Sequence, residues 1–148
     1  MEYIESPENY VKTSDRKALF LAGGITNCPN WQSGIVNLLK NSDIAILNPR
    51  RKNFPIDNPD ASKGQIKWEF EHLRKADTIL FWFPKESICP IALYELGAWC
   101  MTGKPLFIGV EKHYERKIDI EEQTALVRPD IKIVYSLIDL ASQVMDYL

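Results

Sequence analysis

Short apolar runs alternate with segments of helical period along most of the chain. Ala18–Ala22, Ile44–Leu47, Thr78–Phe83, Pro105–Val110 and Ile131–Tyr135 read as strands. The first four are almost unbroken in hydrophobicity, as parallel strands covered on both faces require. Helical patterns fall between them, at about 30–41, 63–76, 90–102 and 137–148. Ser62 with Gln65 forms a capping-box pattern, Ser136 with Asp139 opens the last helix similarly, and Gly103 stands where a helix-ending glycine is expected. Residues 1–16 are polar and read as an N-terminal arm, with one domain over 17–148. The alternation predicts an α/β fold, a doubly wound, flavodoxin-like or Rossmann-like sheet of about five parallel strands with helices on both faces. Ligands in such sheets sit beyond the carboxyl ends of the strands. That rule nominates the loops Gly23–Pro29, Asn48–Pro59 and Pro84–Pro90.

Composition narrows the function. The chain has 148 residues, enough for one core, and its net charge of −2 gives no field to gather nucleic acid or anionic lipid. No stretch is long and apolar enough for a membrane span, and the first residues lack a signal-peptide pattern. Cys28, Cys89 and Cys100 are scattered, without metal-ligand or disulfide spacing. A soluble cytoplasmic protein with no metal and no cofactor is expected.

Candidate chemistry lies on the helices and strand ends. Glu95 is the one charged residue in Pro90–Thr102 and has no cation at i±3 or i±4. Its carboxylate is either bonded elsewhere or exposed, or it sits in a cleft that sets its pKa. Asp77 stands just before the third strand, as a helix terminator or a site acid. Gln65, Glu69 and His72 share a stripe beside the apolar stripe Ile66, Phe70 and Leu73, and this stripe is either a solvated face or a functional one. Gly23 and Gly24 permit a tight turn or close approach to a ligand. Arg50, Arg51 and Lys52 after Asn48 form a surface cluster or a phosphate clamp. Trp82 is either an ordinary buried strand residue or a stacking platform for a base.

FLAGGI, LNPRR, GQIKWEFEHLRKADTILFWFP and YELGAWCMTGKP, in this order over about 17–110, resemble the nucleoside 2-deoxyribosyltransferase family and its nucleotide N-glycosidase relatives. The resemblance implies a small-molecule nucleoside or nucleotide substrate and a homo-oligomer. It assigns Glu95 as nucleophile and Asp77 as the acid that handles the leaving base's proton, with Gln65, Trp68 and Glu69 lining the pocket. Gly23, Gly24, Asn48, Arg50, Arg51 and Trp82 are the remaining substrate-binding candidates. The implied reaction is transfer of a 2-deoxyribosyl group through a glycosyl-Glu intermediate; hydrolysis of the same bond and non-catalytic nucleotide binding are the alternatives. Two departures from the family pattern are Leu19-Phe20-Leu21, without the usual Tyr, and Ser87–Ala92 in place of a glycine-rich loop.

Overall fold

The computed structural model describes residues 1–55 and 57–148. Ile56, in the nominated loop Asn48–Pro59, lies outside the described residues. The strands are β1 (Glu2–Glu5), β2 (Lys17–Gly23), β3 (Ile44–Asn48), β4 (Thr78–Phe83) and β5 (Leu106–Val110). The helices are α1 (Trp31–Leu38), α2 (Pro59–Lys75), α3 (Pro90–Cys100), α4 (Lys117–Val127) and α5 (Leu137–Tyr147). All five strands run parallel in the order β1-β3-β2-β4-β5. The expected doubly wound α/β sheet is therefore present.

Strand period divides the core. Ala18, Phe20, Ala22, Ala45, Leu47, Phe81 and Phe83 point to one face, where Trp68, Leu96 and Ile120 from α2, α3 and α4 cover them. Leu19, Leu21, Ile44, Ile46, Leu80 and Trp82 point to the other, under α1 and α5. Burial on both sides explains why β3 and β4 are apolar at nearly every position. The chain leaves β2 toward β3 on one side and returns to β4 on the other, so the connections diverge between β2 and β4. That divergence opens a crevice at their carboxyl ends.

Two elements differ from expectation at opposite edges of the sheet. Ile131–Tyr135 makes only a bridge, Val134 beside Gly109, because Val134 is the one residue of the five that is buried. The fifth strand is instead β1, from the segment read as an arm, with Ile4 packed into the core. Helix α4 has no counterpart in the expected elements; it buries Ile120 and Thr124 while Ile118 and Leu126 face outward, which erases the helical stripe. Ser136 caps α5 by accepting from the Asp139 amide at 3.1 Å, as expected. Asn58, not Ser62, caps α2, and α3 ends at Cys100, short of Gly103. No helix among the described residues is long and apolar enough to cross a membrane.

Candidate active site

Beyond β2 and β4 lies a cavity of ≈ 300 Å³, at the small end of ligand sites. Phe20, Ala22, Gly23, Gly24, Ile25 and Thr26 come from β2 and its loop. Pro49 follows β3, Ser87 and Cys89 precede α3, and Pro90, Ile91 and Ala92 form its first turn. Glu69 of α2 and Glu95 of α3 supply the charge. No Lys, Arg or His is among the described lining residues.

The loop after β2 is held from below. Gly24 O accepts from Trp31 Nε1 at 2.8 Å and Gln32 Nε2 at 3.4 Å. A side chain on Gly24 would meet the Cys28 and Cys89 sulfurs at 2.5 and 2.7 Å, so the glycine lets this loop pack against the one before α3. All three cysteines are free and buried. Cys89 enters α3 in the left-handed region, φ 52, with its amide bonded to Ser87 Oγ. Such a conformation costs free energy and is found preferentially at functional sites.

Glu95 forms no hydrogen bond or ion pair among the described residues. Desolvation, followed by the charge of Glu69, pushes it up to about 8. Burial also raises Glu69, although Gln65 opposes the rise by donating Nε2 to Glu69 Oε1 at 2.8 Å. Two carboxyls in one half-dry cavity without a cation cannot both ionise cheaply. Burial and the neighbouring charge thus favour a proton on Glu95, beside a second carboxyl that burial also raises.

The cavity brings together Glu95, Glu69, Gly23 and Gly24, and leaves the other expected site residues elsewhere. Asp77 precedes β4 and so sits at the amino edge of the sheet, about 20 Å along the strand from the carboxyl end. Its carboxylate accepts from the Ala18 amide at 2.8 Å and pairs with Lys12 at 2.8 Å. Desolvation raises its pKa, but these two donors outweigh that and hold it below the usual carboxylate value. Trp82 projects to the opposite sheet face and packs over Gly109. Arg50 spends its guanidinium on Pro29 O, Cys28 O and Gln32 Oε1, while Arg51 lies over the Phe54 ring. Asn48 is buried at the end of β3, donating to the Tyr3 hydroxyl and accepting from the Arg50 amide. Gln65 stands behind Glu69, and Trp68 stacks on His72 with its Nε1 donating to Glu8 O.

Helix α2 turns its polar stripe inward. His72 is buried and Gln65 and Glu69 half-buried, whereas Ile66 and Phe70 are 67% and 54% exposed. Phe20, Ala22, Ile91 and Ala92 line the cavity from outside the three nominated loops; strand parity places the first two on the α2–α3 face and position in the first turn of α3 places the others.

The residues that frame this cavity, from β2 through α3, fall inside residues 16–114, which match the family model described as nucleoside 2-deoxyribosyltransferase like. No curated protein matches the chain in sequence. Matched over about two thirds of its length, including both carboxyls and the loops between them, the chain belongs to the nucleoside 2-deoxyribosyltransferase-like family.

Proposed function

We propose that this protein transfers a 2-deoxyribosyl group between nucleobases, with Glu95 as nucleophile and Glu69 as its proton partner. The observation that carries this reading is the pair of carboxyls lining one cavity without a cation. Glu69 takes the proton from Glu95, and the freed Glu95 carboxylate attacks C1′. The C1′–N bond breaks through an oxocarbenium-like state that the carboxylate stabilises. Its electron pair leaves with the base, which receives the proton from Glu69. A second base then gives its N–H proton to Glu69 as its nitrogen attacks C1′, the C1′–O bond breaks with its electron pair on Glu95, and the pair again holds one proton. Phe20, Ile25, Pro90 and Ile91 provide the apolar walls for the base. In this reading a second copy of the chain covers the exposed apolar face of α2 and α3, where Ile66, Phe70, Tyr94 and, at the α3 C-cap, Met101 are exposed.

The substrate is a neutral nucleoside. A 5′-phosphate about 6 Å from a carboxylate meets about 2–3 kcal/mol of repulsion at an effective dielectric of about 20. Product analysis with a 2′-deoxynucleoside and its 5′-monophosphate, each with and without a second free base, tests both statements. The expected result is a new nucleoside, formed at least about tenfold more efficiently than from the monophosphate. Free sugar and base alone, despite an added acceptor, would replace transfer by hydrolysis; preference for the monophosphate would overturn the neutral-substrate assignment.

The proton pair also sets a pH profile. Above about 8 Glu95 loses its proton, both carboxyls are charged and no acid remains. On the acid side both become protonated and the nucleophile is lost, at a pH above the ordinary carboxylate value because Glu69 is raised as well. kcat/KM is therefore expected to be bell-shaped, falling above about pH 8. A rate that stays flat from pH 6 to well above 9 would contradict a shared proton.

A further inference from the structure

Residues 1–15 lie outside the family match, yet they are tied to α2 at several points. Trp68 Nε1 donates to Glu8 O at 2.6 Å, and the Tyr10 amide donates to His72 Nε2 at 3.0 Å. Lys75 reaches Asn9 Oδ1 at 2.5 Å, and just past the end of α2 Lys12 pairs with Asp77 at 2.8 Å. His72 contacts Trp68 O through Nδ1 at 2.7 Å, so the neutral ring donates there and accepts from Tyr10. Burial holds its pKa down. The segment between β1 and β2 is a strap across the helix that carries Glu69.

One bond of this strap leads to the cavity. Ser6 is 3% exposed and is fixed by its amide, which donates to Asn48 O at 3.0 Å. Its hydroxyl donates to Gln65 Oε1 at 2.7 Å. The Gln65 amide uses both hydrogens, one on Pro49 O and one on Glu69 Oε1, each at 2.8 Å. All three corners of that amide are thereby occupied, and Glu69 is held by a donor that is itself held.

We propose that Ser6 is a positioning residue of the active site, orienting the Glu69 carboxyl through Gln65. The proposal rests on reading Glu69 as a reacting carboxyl. Without the Ser6 hydroxyl, Gln65 Oε1 loses its donor in a part-buried place, and the amide turns toward water to recover one. Glu69 then loses its hydrogen bond. Among the described residues no cation faces Glu69 from the elements around it: α3 presents Glu95, β2 presents Phe20, the loop after β3 presents Pro49, and the strap presents Ser6. Along its own helix the next ionisable groups are Lys67, Glu71 and His72; Lys67 is exposed and pairs with Glu71 at 3.9 Å, and only burial and Gln65 shift Glu69. Among the described residues the Gln65 donor is therefore the one polar contact that favours the charged form of Glu69, and its loss raises the carboxyl's proton affinity.

The test is a carboxyl carbon NMR titration of Glu69 in wild type, Ser6→Ala, Gln65→Leu and the double variant. The titration needs no turnover, so failure of the proposed reaction and failure of this proposal are distinguishable. The midpoint is expected to move up by about half a pH unit or more in Ser6→Ala, approaching Gln65→Leu, with no further change in the double variant. Where a glycosyl-transfer assay is active, kcat falls about tenfold with the acid limb displaced in the same direction. Should Ser6→Ala fail to fold, Ser6→Cys, which nearly keeps the volume and weakens the donor, is titrated in its place. A Glu69 midpoint unchanged from wild type, or a Ser6 effect that adds to that of Gln65→Leu, would overturn the proposal.

Discussion

Glu95→Gln is expected to abolish glycosyl transfer, by at least about 10³-fold in kcat, while making the protein more stable. The loss follows from replacing a carboxylate, whose negative charge drives attack on C1′, by a neutral amide that is a far weaker nucleophile and leaving group. The gain follows from linkage. An ordinary glutamate titrates near 4.5, and burial with the neighbouring Glu69 raises Glu95 to about 8 in the fold. Between those values the folded state holds a proton that the unfolded chain has released, so stability falls as pH rises through this window. A neutral glutamine removes that cost. With part of the side chain still solvated, the gain at pH 7 is about 2 kcal/mol, or roughly 5 °C in melting temperature, shrinking toward pH 4.5. Thermal unfolding at pH 5 and pH 7, beside the transfer assay, checks both halves. A destabilised and inactive variant would mean that Glu95 serves the fold.

The second large effect is on the backbone. Gly23 closes β2 at φ +149, and a Cβ there would stand 2.2 Å from Trp82 O and 2.8 Å from Trp31 Cζ2. Trp82 belongs to the strand that pairs with Gly23, so relief requires the β2–β4 ladder to move at the mouth of the cavity. Gly23→Ala is expected to cost about 3 kcal/mol or more, roughly 6–12 °C in melting temperature. Gly64 in α2 is the control. A Cβ at that position meets nothing within 4 Å, so Gly64→Ala is expected to stabilise by about 0.5–1 kcal/mol. Equal melting temperatures for the two variants would contradict the close approach of β2 to β4.

Much of this architecture is legible in the residues because β2, β3 and β4 are buried on both faces. An unbroken run such as Thr78–Phe83 marks its own ends, and the strand limits coincide with it. Glu95 stands out for the same reason, as a lone charge in an apolar helix. Glu69 is harder to place, since α2 carries Glu71, Lys67, Arg74 and Lys75 as well. Ile66, Phe70 and Leu73 look like the core side of that helix, whereas only Leu73 is buried, and the inner side sets Gln65, Glu69 and His72 beside Trp68 and Leu73, toward a cavity and a strap. Tertiary contacts decide that orientation, not helical period. Asp77 illustrates the opposite case. A residue preceding a parallel strand lies at the amino edge, away from the ligand end, so topology excludes it from the cavity even though its neighbourhood fits the family pattern. Its place in the fold is to anchor Lys12 and the start of β2 at Ala18.

That contrast also supplies the sharpest test. Base release from a 2′-deoxynucleoside is measured for the wild type, Glu95→Gln, Glu69→Gln and Asp77→Asn under one set of conditions. Wild type and Asp77→Asn are expected to release base at rates within a few fold of each other, while Glu95→Gln and Glu69→Gln fall by orders of magnitude. Loss of activity in Asp77→Asn with turnover retained in either glutamate variant, or no base released by the wild type from any deoxynucleoside, would contradict the assignment of the chemistry to the two facing carboxyls.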